Sequence, residues 1–199
     1  SAPRDAMVAD ATPPHIRGYA FGFHRALDNA GAVAGGLTAA AVLTWSDLSL
    51  SEVILWSAIP GFVAIVLMGV GIREQKNNQA QSIELSRVLS PLRWSALSVT
   101  MQHYLWVLVL FTFARVSETF ILLFGHELGI GVVELLLLWS ALNLAKAITS
   151  TQGGRLADHF GRGALILIGW AALAVSFLAL GQVTSNIGLW TVGICYGLL

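Results

Sequence analysis

Cysteine is almost absent from this chain. The one residue, Cys195, in 199 positions excludes a disulfide within the chain, and its place in an apolar run predicts a buried structural thiol. Charge is scarce too: Asp, Glu, Lys and Arg make up 11% of the residues, against about 25% in a soluble domain. Eleven basic residues balance eleven acidic ones. There is no basic surplus to draw nucleic acid and no acidic surplus to form a solvating tail, so nucleic acid is not an expected partner. What the chain has instead is 56% hydrophobic residues and a mean hydropathy of +0.73. A water-soluble globule does not have this composition. Apolar runs of about 20 residues broken by short polar stretches are what a bilayer selects.

The chain starts Ser1-Ala2-Pro3-Arg4-Asp5, with neither an initiator Met nor a signal-peptide pattern, and stops inside an apolar run at Gly197-Leu198-Leu199. An internal fragment of a longer membrane protein is the expectation. Five full spans and a stub are predicted: Tyr19–Trp45, Val53–Ile72, Leu97–Phe124, Val132–Thr151, Ala164–Gly181, and a start near Ile187. The runs are too long, and lack the alternation, for barrel strands. The polar stretch from Arg73 to Ser95 reads as a long connecting loop. His15, Arg17, Arg73, Lys76, Arg87, Arg93, Arg155 and Arg162 all fall in every second connection, while the alternate ones (46–52, 125–131 and 182–186) hold no Lys or Arg. The basic connections are therefore expected to face the cytoplasm.

Between the fourth and fifth spans stands Gly153-Gly154-Arg155-Leu156-Ala157-Asp158-His159-Phe160-Gly161-Arg162. Glycines suit close backbone passage, the Asp can face a helix N-terminus, and the Arg can pair with a carboxylate. Gly154, Leu156, Ala157, Asp158, Gly161 and Arg162 resemble the G-x-L-A-D-x-x-G-R loop signature of the major facilitator superfamily. In that register the chain runs from the end of the fourth of twelve helices to the start of the tenth. The resemblance implies an all-α, polytopic transmembrane bundle in three parts. Residues 1–72 would be the end of the N-terminal half, 73–95 the central cytoplasmic loop, and 96–199 the start of the C-terminal half. Gly22, Gly31 and Gly35 also reproduce the G-x8-G-x3-G spacing of the family's proton-coupled efflux antiporters, with Gly36 and Ala39-Ala40 where that motif has Pro and a Gly pair. Gly18, Gly22, Gly31, Gly35 and Gly36 are expected to bring this helix close to another one rather than to lipid. The resemblance implies a small-molecule substrate, protons, the bilayer and the missing helices as partners, no cofactor, and a bacterial cytoplasmic membrane.

Ionisable residues inside spans are costly and usually face the bundle interior or a cavity. Arg25 and Asp28 share a face of the first span, and Arg115 and Glu118 a face of the third. Lys146 sits in the fourth span with Asn143 one turn before it. Arg115/Glu118 is either a self-neutralising pair or a titratable carboxylate with a cation beside it. Lys146 calls for an anionic partner, with Asp28 and Glu118 both open, while Glu134 reads as a solvated interface residue. The pseudo-twofold relation of the two halves implies that Asp158 lies beside Gly18 to Phe21, accepting from free N–H groups there as a latch. Gly154, Arg155, Asp158, Gly161 and Arg162 form that gating set. Trp45, Trp94 and Trp139 stand near span ends as interfacial anchors, and Trp106 and Trp170 lie deeper. His126-Glu127 continues as Leu128-Gly129-Ile130 and is not a zinc motif, and no nucleophile or phosphate-loop spacing occurs, so an intramembrane enzyme is disfavoured. The retained charges likewise disfavour a non-transporting accessory protein.

Overall fold

The computed structural model describes Asp5, Val8 and residues 12–71, 94–114, 117–160 and 162–198. Arg4, Arg115, Gly161, Leu199 and the central polar stretch over 72–93 lie outside the described residues, as does the side chain of Arg162. Every long element is helical: α1 Arg17–Trp45, α2 Leu50–Trp56, α3 Ala58–Gly71, α4 Val99–Ala114, α5 Thr119–Glu127, α6 Val132–Phe160, α7 Arg162–Leu180 and α8 Asn186–Gly197. Among the described residues, four stretches are long and apolar enough to cross a membrane, namely Arg17–Trp45, Leu50–Leu67, Val132–His159 and Gly163–Leu180, and Val99–Phe113 is a shorter apolar helix. Outward-facing side chains such as Val70, Phe113 and Ile187 are at least 80% exposed. That pattern suits helices whose outer surfaces meet lipid or further helices rather than water.

Local chemistry accounts for several boundaries. Ser49 and Glu52 form a capping box at the start of α2: the Ser49 N–H and hydroxyl donate to Glu52 Oε2 at 2.7 and 2.8 Å, and the Glu52 N–H donates to Ser49 Oγ at 3.4 Å. The second predicted span is interrupted at Ser57. Pro60, three residues on, has no N–H to give and its ring crowds the Trp56 carbonyl, so helix continuity fails there. The end of α5 is a Schellman turn: Gly129 has φ +83°, its N–H donates to His126 O at 2.9 Å and the Ile130 N–H donates to Gly125 O at 3.1 Å. Ser185 caps α8 by accepting from Gly188 N–H at 3.2 Å.

Two expected elements are corrected. The third predicted span, Leu97–Phe124, is not one helix: α4 ends at Ala114, α5 begins at Thr119, and Ser117 and Glu118 stand outside helix. The Gly153–Phe160 part of the family signature is not a loop but the last two turns of α6. Nothing in it breaks a helix, since helical glycine costs only about 1 kcal/mol each relative to Ala.

The molecule divides into two compact units, residues 1–53 with 118–199, and residues 54–117. In the first, α6 is the central rod. On its face toward α5, α7 and α8, its Leu138 and Leu142 form a buried cluster with Ile121, Ile130, Leu189 and Tyr196. Its opposite face lies along α1. In the second unit, Trp94 and Trp106 meet edge to face at 6.1 Å and border an open, apolar groove on α4 with Leu105, Val109 and Phe113.

Candidate functional site in the middle of the first unit

Glycines on α8 set up the site. A Cβ on Gly197 would lie 2.6 Å from Leu142 O, and one on Gly193 would lie 3.3 Å from Leu138 Cδ1, so α8 approaches α6 at backbone range. That approach brings Tyr196, which is 5% exposed, up to Lys146. The Lys146 ammonium is ion-paired with Glu118 Oε1. The Tyr196 hydroxyl donates to the same Oε1 at 3.3 Å. The Tyr196 ring lies 5.4 Å from Lys146 Nζ, within cation–π range, and is backed by Phe177 of α7 at 6.0 Å. Three helices and the residue that caps the start of α5 thus contribute to one charged cluster whose Lys146 and Glu118 side chains are 21% and 20% exposed. In a pair held partly out of solvent each charge favours keeping a partner, because an uncompensated charge is costly once it is shielded from water.

The second assembly lies at the far end of α6. Asp158 Oδ1 accepts from Gly18 N–H at 3.1 Å and its Oδ2 from Tyr19 N–H at 2.9 Å. These donors are among the free N–H groups of the first turn of α1, where a carboxylate also meets the positive end of the helix dipole, together worth about 1 kcal/mol. The Arg155 guanidinium sits 4.7 Å from the Tyr19 ring centroid, a second tie between the same ends. Two glycines make room for both. A Cβ on Gly18 would lie 2.7 Å from Gly154 O, and one on Gly154 would lie 2.9 Å from the Gly18 carbonyl carbon.

Between the two assemblies runs a close seam. A Cβ on Gly22 would lie 3.2 Å from Thr151 Cα, and Gly36 faces Ser140 Oγ. Asn29 Nδ2 donates to Ser150 Oγ at 3.5 Å, and Ser150 Oγ donates to Lys146 O at 2.6 Å. The paired lysine is therefore one helical turn from the seam. Gly31 and Gly35 do not pack on α6: each faces open space within this chain, with no atom of the described residues within 4 Å of an added Cβ. Nine residues at about 100° each place Gly31 on the side of α1 opposite Gly22.

The remaining candidates are placed as follows. Asn143 is 4% exposed, and its Nδ2 donates to Trp139 O at 2.8 Å on its own helix. Arg25 is exposed on α1, and Asp28 Oδ2 lies 3.9 Å from His24 Nδ1. Cys195 is exposed, not buried, because α8 turns Tyr196 and Gly197 toward α6 and the preceding residue away from it. Sequence reasoning missed Tyr196 altogether. It also missed that Glu134 Oε1 accepts from Asn186 Nδ2 at 2.6 Å and Trp190 Nε1 at 3.2 Å, clasping the starts of α6 and α8. Among the described residues no group of three His, Cys, Asp or Glu is arranged to hold a metal ion.

The comparisons with known proteins agree with this architecture. The Major Facilitator Superfamily profile matches residues 1–199. The chain is 23% identical over 204 residues to an uncharacterized MFS-type transporter of Methanocaldococcus jannaschii, a match that covers 100% of this chain and 50% of that protein. It therefore spans about half the length of the relative it matches. No solved structure matches the chain. A match along its whole length, on an all-helical fold with several membrane-crossing helices, places the chain in the Major Facilitator Superfamily as an integral multi-pass membrane protein of a transporter family rather than an enzyme family.

Proposed function

We propose that the full-length protein is a secondary transporter that carries a small molecule by alternating access, coupled to protons, in the cytoplasmic membrane. The observation that carries this reading is the Glu118–Lys146 pair joined by Tyr196. A carboxylate inside a membrane protein can hold a proton, and its charge here is what holds a lysine. When Glu118 takes up a proton, its ion pair with Lys146 weakens one turn away from the α1–α6 seam. A binding event is thereby linked to the interface that must slide when the halves rock. Asp158, Arg155 and the Gly18–Gly154 contact act as a latch at the cytoplasmic end, with Gly161, Arg162, Arg25 and Asp28 as further members of the gate. Arg115 belongs to the same proton path.

The spacing of Gly22, Gly31 and Gly35 supports efflux in exchange for protons. A specific observation favours the other direction, uptake of an organic solute together with the proton. Lys146 and Tyr196 point two donors at one carboxylate oxygen, so neutralising Glu118 weakens the acceptor they share and favours an anionic group beside them.

The test uses the full-length protein in proteoliposomes with an internal pH dye and an imposed proton gradient. Candidate organic anions, cations and sugars are added in turn. Substrate-dependent proton flux that is lost in Glu118→Gln supports the reading. Flux that is unchanged in Glu118→Gln removes Glu118 from the proton path.

A further inference from the structure

We propose that Tyr196 is a positioning residue of the proton site, one whose hydroxyl sets the acidity at which Glu118 exchanges its proton. This role rests on the reading of Glu118 as the proton site and adds what tunes that site. One side chain touches both members of the pair. The phenolic O–H donates to Glu118 Oε1 at 3.3 Å, and Lys146 is ion-paired with the same oxygen. The ring lies 5.4 Å from Lys146 Nζ. Packing fixes where that hydroxyl stands. Tyr196 is 5% exposed and clusters with Leu138, Leu142 and Leu189. Phe177 backs its ring at 6.0 Å, and Gly197 seats α8 against the Leu142 carbonyl. A donor whose rotamer is locked by its neighbours holds a carboxylate oxygen at one place, as a preorganised site requires.

The direction of the effect follows from the bond. A hydrogen bond donated to an ionised carboxylate favours the ionised form, and an adjacent opposite charge does the same. Lys146 supplies the charge. The Tyr196 hydroxyl supplies a neutral donor, so removing it changes the proton affinity of Glu118 without changing the charge of the cluster. Lys146 from α6 and Tyr196 from α8 face Glu118 with titratable groups, and α7 brings the uncharged Phe177 ring. Arg115 lies outside the described residues. Further partners of Glu118 and Lys146 are common to the native protein and to Tyr196→Phe, so they drop out of a comparison between the two. Tyr196→Phe also keeps the ring beside Lys146 and its packing against Phe177, and loses one oxygen.

The test is a titration of the full-length protein in detergent from pH 4 to pH 9, followed by infrared difference spectroscopy. The carboxylic-acid C=O band that is missing from Glu118→Gln reports the proton on Glu118 and needs no transported solute. In Tyr196→Phe the midpoint of that band is expected about half a pH unit or more above the native one, roughly a threefold gain in proton affinity. A role in packing alone would lower the melting temperature and leave the midpoint where it is. An unmoved or lowered midpoint therefore overturns the proposal. Should Tyr196→Phe fail to fold, replacing Tyr196 by 3-fluorotyrosine keeps the shape of the side chain and strengthens its hydroxyl as a donor. The midpoint must then fall, and one that stays or rises overturns the proposal equally. A Glu118 band that titrates alike in all the proteins sinks the tuning role and leaves Glu118 as the proton site. If no Glu118 band titrates in any of them, the proton site and the tuning role fall together. A shifted midpoint in a protein that shows no proton flux in proteoliposomes keeps the tuning role and removes the transport reading.

Discussion

Asp158 shows how much one side chain can organise. Both of its oxygens are taken by backbone N–H groups of α1, so Asp158→Asn loses one acceptor and the charge while Asp158→Ala loses everything. Each is expected to weaken the closure of this end, by about 1 kcal/mol for the alanine. The check is a spin-label distance between the start of α1 and the end of α6, whose distribution should broaden toward longer separations. An unchanged distribution in Asp158→Ala would show that the latch carries no weight. Gly154→Ala tests the neighbouring contact by a different mechanism. Its methyl would meet the Gly18 carbonyl, which is backbone and cannot rotate away, so destabilisation of about 1–3 kcal/mol is expected in thermal melts of the full-length protein. The signature made Asp158 and Gly154 legible in the sequence. Tyr196 was not legible, because a tyrosine in an apolar run carries no mark of the helix it will meet. The sequence also left Lys146 with two candidate partners, and only the packing of α5 beside α6 selected Glu118.

At the scale of the helix, which glycines matter is a question of angle. Gly18, Gly22 and Gly36 face α6, while Gly31 and Gly35 face away from it. Gly22→Ala should therefore lower the melting temperature, since its methyl would press on the Ser150 carbonyl and the Thr151 backbone, whereas Gly31→Ala should be neutral or mildly stabilising in this unit, as alanine is the better helix former. Equal effects of the two would mean the seam is misassigned. The small-residue spacing was visible beforehand, but spacing alone does not say which rows of a helix are covered. Helix continuity was legible in part. Pro60 marks the interruption at Ser57 in residues anyone can read, whereas the stretch between Ala114 and Thr119 contains neither proline nor glycine, and its interruption had no local signature. The capping box at Ser49 and Glu52 can be tested alone: Ser49→Ala should cost about 1 kcal/mol of helix stability, seen as faster amide exchange in the first turn of α2.

For the whole molecule, the long helix α6 connects three assemblies: the Glu134 clasp with Asn186 and Trp190 at its start, the Lys146–Glu118–Tyr196 cluster in its middle and the Asp158 latch at its end. The clasp ties the start of α6 to α8 and the latch ties its end to α1. Glu134→Gln keeps an oxygen acceptor at the clasp but removes the charge from both hydrogen bonds. It is expected to reduce turnover of the proposed transport without changing its pH dependence, in contrast to Glu118→Gln, which under the proposed function abolishes substrate-dependent proton flux. Parallel flux measurements on the two variants over pH 6–8 separate them. By itself the sequence determined the membrane class, the approximate spans, the family and the presence of the Gly154–Asp158 signature, because these rest on composition, hydropathy and local chemistry that a bilayer and a helix terminus impose on any chain. Tertiary structure alone decided the ion pair of Lys146 with Glu118, the place of Tyr196 beside it, which glycines face α6 and the clasp at Glu134. Each of these depends on the rotation and depth at which two helices meet, and helix pairing is set by side-chain packing over many residues at once rather than by the spacing within either helix.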